Sequence, residues 1–282
     1  CTHHGKTPPC IDIIIKKKIK NVYYGFEDPD LRTFKKAKKI LNKKGIKSKL
    51  ISIKKYSKFY KSYFINKKSS IPFVTAKIAI SKDYLTINKK NRWITNKISR
   101  NFVHLLRSKY DCILSTAKSI NKDNSLLNCR IKGLNNNKPD LFIIDLKLRL
   151  KKKLSLNKFL KKRKTYLVTC KNNAKKTIIF KRMGYKIIFI NQLKGKNDFK
   201  LLYKNIYKMG YSRLLIESGL TFLNSLLKNK IIHELYILKS SKKLGNYGKN
   251  NNSIKYLKNI SPILTATKLN GDSLLKKSFK YV

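Results

Sequence analysis

The sequence predicts an α/β protein in two parts: a helix–strand–helix–strand segment over residues 1–68, and a mostly parallel, helix-covered sheet over 69–282. Three observations predict it. Apolar runs of strand length recur along the chain, basic stretches of helical period separate several of them, and 282 residues with 41% hydrophobic content suffice to bury a core.

In order, Pro8-Pro9 stands where a helix begins, "CIDIIIKKKI" carries it, and "NVYYGF" reads as a buried strand. "DLRTFKKAKKILNKKG" is an amphipathic helix closed by Gly45, and "IKSKLISI" returns as a strand parallel to the first. Two strands do not close a sheet, so this segment is expected to be the rear of a domain. After the polar "NKKSS" at 66–70, "IPFVTAKIAIS" opens a second series, followed by the long helix "TNKISRNFVHLLRSKY". Strands are predicted at "DCILSTA", "PDLFIIDL", "KTYLVTC", "YKIIFI", "SRLLIESG" and "IIHELYILK". The run "KLRLKKKLSLNKFLKKRK" reads as a solvated connection and "KLGNYGKNNNS" as a Gly/Asn-rich surface loop.

The net charge of +55, from 68 basic and 13 acidic residues, would suit a nucleic-acid partner. Only nine of the cations are Arg, however, and the lysines are spread evenly beside an excess of Ile and Asn, residues with A/T-rich codons. Composition bias accounts for the charge, so no specific nucleic acid is expected, only weak polyanion binding in low salt. No apolar run reaches the length of a membrane span. Five scattered cysteines, an odd number, point to a reducing cytoplasm without a disulfide framework.

The opening "CTHHGKTPPC", followed by "IDIIIKKKIKNVYYGFEDPD", closely resembles the bifunctional riboflavin-biosynthesis deaminase-reductase family. "NRWITNKISRNFVHLLRSKYDCILSTAKSI", "PDLFIIDLKLRL", "LLIESGLTFLNSLL" and "HELYI" fall in family order, so the resemblance covers essentially the whole chain. It implies that residues 1–68 are the C-terminal part of a cytidine-deaminase-like domain, with Cys1 and Cys10 as zinc ligands. Zinc would lower the pKa of a bound water for attack on an amino-bearing ring carbon. The family's His-Ala-Glu motif is absent from this sequence, and neither His3 nor His4 replaces it. The chain as it stands is therefore expected not to deaminate. Read from residues alone, the two cysteines are equally two thiols at a chain end.

The resemblance further implies that 69–282 is a dihydrofolate-reductase-like domain. In it NADPH reduces the ribosyl side chain of 5-amino-6-(5-phosphoribosylamino)uracil, in a protein expected to be a homo-oligomer. Arg107 and Arg130 match substrate arginines whose forked donors suit a phosphate. Asn91, Leu127 and Glu217 match further substrate positions. Ala79, Trp93, Thr95, Ser119 and Asp123 match nucleotide-site positions, as do Gly219, Leu220, Thr221, Phe222, Leu223, Asn224 and Ser225, where backbone N–H groups at a helix start can receive a phosphate. Lys77, Asp123 and Glu217 are placed nearest the reacting sugar as catalytic candidates. His104 and His233 are assigned to structure. Two departures from the family pattern are Tyr84, where the family has glycine, and "KDNS", where it has an Asp-Asp-Pro turn. The rival class is a nonenzymatic basic binding protein on a decayed reductase scaffold.

Overall fold

The computed structural model describes residues 1–30, 32–51, 54–134, 139–260 and 266–279, the side chains of 54–59 excepted. The chain divides into two compact units, Cys1–Ile71 and Pro72–Val282.

In the first unit, α1 (Cys10–Lys16), β1 (Asn21–Tyr24), α2 (Lys36–Lys43), β2 (Lys47–Leu50) and α3 (Lys54–Ser69) follow one another. β1 and β2 pair in parallel, with Asn21 opposite Lys47. Ile11, Leu41 and Ile46 form a small core against Ile14, Ile15 and Val22. Three sequence expectations change here. β1 is not a buried strand, since Tyr23 is 61% exposed. α2 begins only at Lys36, because Lys35 turns left-handed at φ 55°. α3, which has no clear apolar stripe and is not predicted from the sequence, runs through 66–69, so the polar "NKKSS" is largely the end of a helix. Leu31, Ser52 and Ile53, part of the predicted helix and strand, lie outside the described residues.

The second unit opens with β3 (Phe73–Ile80), β4 (Ile87–Asn88), α4 (Lys97–Ser108), β5 (Cys112–Thr116), α5 (Ala117–Asp123) and β6 (Asp140–Ile144). It continues with β7 (Thr165–Cys170), α6 (Ile178–Arg182), β8 (Lys186–Ile190), α7 (Lys196–Lys208), β9 (Arg213–Glu217) and α8 (Leu220–Lys228). Last come β10 (Glu234–Lys239), β11 (Gly248–Lys249), α9 (Lys255–Ile260), β12 (Ala266–Leu269) and β13 (Asp272–Ser278). Nine strands form one sheet in the order β12-β13-β10-β3-β9-β5-β6-β7-β8. From β10 to β8 every pair is parallel, while β13 runs antiparallel to β10 and β12 to β13. The mostly parallel α/β sheet of the sequence prediction is therefore present. The strands read from sequence are all in it, because strands covered by helices on both faces carry continuous apolar runs.

The topology marks one place. After β3 the chain crosses to β5 and builds outward to β8, then returns to insert β9 between β3 and β5. Open parallel sheets gather ligands at the carboxyl ends of strands where the winding reverses. Ile113, Leu141, Ile143, Leu167 and Leu215 fill the core under this point, together with Ile120 of α5. Each such side chain contributes about 1.5–3 kcal/mol on leaving water.

Two segments differ from expectation. The lysine run 147–164 exposes Lys151–Lys153 but buries Leu150, Leu154 and Leu156 in the core, and Arg163 with them. It is a packed connection, not a solvated one. The "KLGNYGKNNNS" loop is held by β11, which pairs with β4, and by Asn250, whose Oδ1 accepts from Thr86 N at 2.9 Å. Tyr84, on the same side of this loop, sits at φ 63°, the left-handed region that glycine enters at little cost. The Lys239 ammonium lies 4.0 Å above its ring, a cation–π contact that offsets part of that strain.

Candidate active site

Glu217 ends β9, and its place is set by register: Lys77 of β3 is its direct neighbour in the parallel ladder. The Lys77 ammonium lies 2.9 Å from Glu217 Oε2. From the other side, Arg107 of α4 closes a two-pronged contact, donating from Nε to Oε1 at 2.6 Å and from Nη2 to Oε2 at 3.0 Å. All three side chains are largely buried, at 16%, 5% and 12% exposure for Lys77, Glu217 and Arg107. Burial alone would raise the Glu217 carboxyl, but the Arg107 and Lys77 cations outweigh it and hold the group well below the usual carboxylate range. Near neutral pH Glu217 is thus held as the carboxylate, an acceptor only.

α4 is fixed from behind. Asn96 caps it by accepting from Ser99 N at 2.8 Å, while Asp272 Oδ2 accepts from Asn96 N at 2.8 Å and from Ser99 Oγ at 2.7 Å. The β12–β13 hairpin, which the sequence reading missed, therefore anchors the helix that carries Arg107. Its turn residues Asn270 and Gly271 both have positive φ, and this Asn-Gly pair was the available hairpin signal.

The remaining candidates fall into groups. Asn128 accepts from Arg107 Nη1 on its main-chain oxygen at 3.1 Å, and from Arg130 Nη1 on Oδ1 at 2.9 Å, so the two arginines share one support. They are not alike. The fork of Arg107 is closed on Glu217, whereas Arg130 is exposed and is bonded through Nη1 alone among the described residues. Leu127 does not line the site with its side chain, which is buried in the core at φ 49°. Ala79 lies two residues beyond Lys77, on the same face of β3. Ser119 and Gly219 meet directly, Gly219 N donating to Ser119 Oγ at 3.1 Å. Helix geometry leaves the N–H groups of Leu220, Thr221 and Phe222 open. Leu223 N is already bonded to Gly219 O, and Asn224 and Ser225 lie further inside the helix, so the open N–H groups end at Phe222.

On a loop beside these, Trp93 is 46% exposed, with the guanidiniums of Arg92 and Arg100 at 5.0 and 4.7 Å from its ring centre. Asn91 Oδ1 accepts from Trp93 N at 3.2 Å. Thr95 is buried, its carbonyl accepting from Arg100 Nη1 at 2.5 Å. Asp123 departs from expectation. It is exposed at the end of α5, and Arg92 Nη2 is bonded to its main-chain oxygen at 2.8 Å, so its carboxylate is not drawn into the Lys77–Glu217–Arg107 group. Asn124 takes the left-handed cap at φ 42° and ends the helix there.

Sequence reasoning also missed a cavity of about 560 Å³ at the carboxyl ends of β5 and β6. Thr116, Ala117, Asn121, Ile144, Asp145 and Leu146 line it, with five cations: Lys118, Lys122, Lys147, Arg149 and Lys151. Asp145 builds its rim by accepting from Arg149 N at 2.9 Å and Leu150 N at 2.7 Å. Asn121 of α5 pins the rim from the other side, donating to Arg149 O at 2.8 Å and accepting from Lys151 N at 3.0 Å. Lys147, Arg149 and Lys151 sit in a lysine-rich run that looks uniform in sequence, while Lys118 and Lys122 come from α5, and only the fold brings the two sets together.

His233 is structural as expected, its Nδ1 accepting from Val74 N at 2.9 Å. His104 is nearer the site than its assignment implied, with Nδ1 3.0 Å from Asn128 O. Burial, then the charges of Arg107 and Arg130, lower its pKa to about 4. A ring-proton NMR titration should accordingly find His104 neutral until the pH approaches 4; a midpoint near the unperturbed value of about 6.5 would contradict this environment. Between those values the unfolded chain binds a proton that the folded ring refuses, so this group's share of stability falls as the pH is lowered through that window.

In the first unit, Cys1 Sγ and Cys10 Sγ lie 3.7 Å apart. A tetrahedral zinc with bonds of about 2.3 Å spaces two sulfurs by roughly that distance, so the pair fits two corners of such a site. Among the described residues no group of three or more His, Cys, Asp or Glu gathers to complete it.

A carboxylate held ionised between two cations, a helix start and a cation-lined cavity gather toward the carboxyl ends of β9, β5 and β6 in a parallel α/β sheet. Residues 72–259 match the RibD C-terminal domain. Over 260 residues the chain is 32% identical to the riboflavin biosynthesis protein RibD of Buchnera aphidicola, covering 88% of this chain and 70% of that protein. In fold it is similar to Acinetobacter baumannii RibD (21% identity, 98% of this chain and 77% of that one, TM-score 0.76). It is likewise similar to the deaminase/reductase of Thermotoga maritima (22% identity, 99% and 76%, TM-score 0.76). The chain belongs to the RibD family of riboflavin biosynthesis and carries its C-terminal, reductase domain.

Proposed function

We propose that this chain catalyses the NADPH-dependent reduction of the ribosylamino side chain of 5-amino-6-(5-phosphoribosylamino)uracil to the ribitylamino product. The observation that carries the proposal is the Lys77–Glu217–Arg107 group: a cation with spare donors, held beside a carboxylate kept ionised near neutral pH. NADPH, when bound, supplies hydride to C1 of the sugar. The chain's residues do the rest. One Lys77 N–H is engaged by Glu217, which leaves the ammonium able to donate to the sugar ring oxygen as the ring opens to its imine form. Glu217 offers its remaining lone pairs to sugar hydroxyls, and Arg107 keeps it from swinging away. Arg130 receives the substrate phosphate.

For the cofactor, the cations around the 560 Å³ cavity suit phosphate groups, and the N–H groups of Leu220 to Phe222 suit the pyrophosphate. Ser119 and Gly219 are joined by a hydrogen bond at the start of α8, and Trp93 offers an exposed ring face. No step runs through a metal. The five unpaired cysteines support a reducing, cytoplasmic compartment, and among the described residues no helix is long and apolar enough to cross a membrane.

The test is direct. Purified protein given NADPH and the phosphorylated pyrimidine should consume the cofactor in step with ribitylamino product. Absence of turnover together with absence of NADPH binding, while RNA binds in a salt-sensitive way, would replace the reductase with a basic binding protein.

A further inference from the structure

Arg163, inside the lysine-rich run before β7, is 6% exposed and has no carboxylate bonded to it among the described residues. Its two terminal nitrogens are spent on main-chain oxygens, while the buried Nε has no partner among the described residues. Nη1 donates to Leu127 O at 2.6 Å and to Pro139 O at 3.3 Å, and Nη2 donates to Leu126 O at 2.6 Å. A buried cation satisfied only by carbonyls is costly to keep, and burial lowers its pKa to about 10. The segment it grips is itself strained, since Leu127 holds φ 49°, a region disfavoured for a side chain of its size. Immediately after that bend comes Asn128, 3% exposed, the common support of Arg107 and Arg130 and the partner of His104.

We propose that Arg163 is a positioning residue of the reductase site: by clamping the carbonyls of Leu126 and Leu127 it holds the left-handed bend that sets Asn128 under Arg107 and Arg130. The part of this that concerns substrate rests on the reading of Arg130 as a phosphate ligand; the part that concerns geometry does not. A guanidinium is needed because its planar fork reaches two adjacent carbonyls at once, which a point-like ammonium cannot do with the same geometry.

The test compares the full chain with Arg163→Met and Arg163→Lys, the second keeping the charge should the first fold poorly. Two readouts are taken. The His104 ring resonances, one hydrogen bond from Asn128, should shift in both variants although the protein remains folded. The KM for the phosphorylated pyrimidine should rise roughly tenfold in Arg163→Met, with NADPH affinity changed less than twofold. Combined with Arg130→Ala, Arg163→Met should add nothing to the KM defect of Arg130→Ala alone. Unmoved His104 resonances, or KM defects that multiply, would overturn the proposal. A normal KM in Arg130→Ala would instead refute the phosphate assignment, while the His104 shift still decides for or against the clamp.

Discussion

Replacing Glu217 with alanine should lower the unfolding free energy by about 3–5 kcal/mol and abolish reductase turnover. The magnitude follows from what is left behind. Lys77 and Arg107 are each less than a fifth exposed, and without the carboxylate two like charges face each other across a cavity. Denaturant unfolding monitored by tryptophan fluorescence would measure the loss, and a change under about 1 kcal/mol would show that the pair is more hydrated than its burial implies. The pH dependence has a definite sign. Because Glu217's folded pKa is depressed, its contribution is complete above the unfolded carboxylate value of about 4.3 and disappears only as the pH falls through the lower folded value. Wild type should therefore keep this contribution into stronger acid than an ordinary exposed Glu would allow, and the alanine variant should lack it at every pH.

This group also shows why some of the site was legible in sequence and some was not. Lys77, Arg107 and Glu217 stand on long, strongly patterned elements, so their positions could be matched one by one. The partner each one faces could not, because it depends on β9 inserting between β3 and β5, an event separated by some 140 residues of chain from Lys77. That is why Arg107 was expected to show its fork to a phosphate and instead turns it to Glu217. Leu127, and Asn128 toward Arg107 and His104, act through main-chain oxygens, and a carbonyl leaves no mark on residue identity. The helix α3 escaped because "KKYSKFYKSYFINKKS" mixes Lys, Ser and aromatics without a clean stripe. The β12–β13 hairpin was written plainly in Asn270-Gly271, yet a polar, lysine-bearing strand pair at a sheet edge does not resemble the apolar runs of the interior.

Removing Lys147 and Arg149 together, as Lys147→Ala with Arg149→Ala, should weaken NADPH binding by about two orders of magnitude at low salt, taking roughly tenfold for each charge-assisted phosphate contact. The KM for the pyrimidine should hardly change, because that substrate is assigned to Arg130, at the end of another loop. Salt distinguishes this from general damage. In wild type a cation-lined, partly open cavity should lose NADPH affinity as ionic strength rises and the exposed charges are screened, and the double variant should show a flatter dependence. The rim itself should survive, since Asp145 holds it through the backbone N–H groups of Arg149 and Leu150 and Asn121 through the oxygen of Arg149, none of which depends on the replaced side chains. NADH, which lacks the extra phosphate, should be much less affected than NADPH if the cavity receives that group. Equal losses for both would move the cavity's role to the pyrophosphate, and no loss for either would leave the N–H groups of Leu220, Thr221 and Phe222 as the place where cofactor charge is met. The direction of the difference between the two cofactors, not the size of either effect, therefore assigns the cavity.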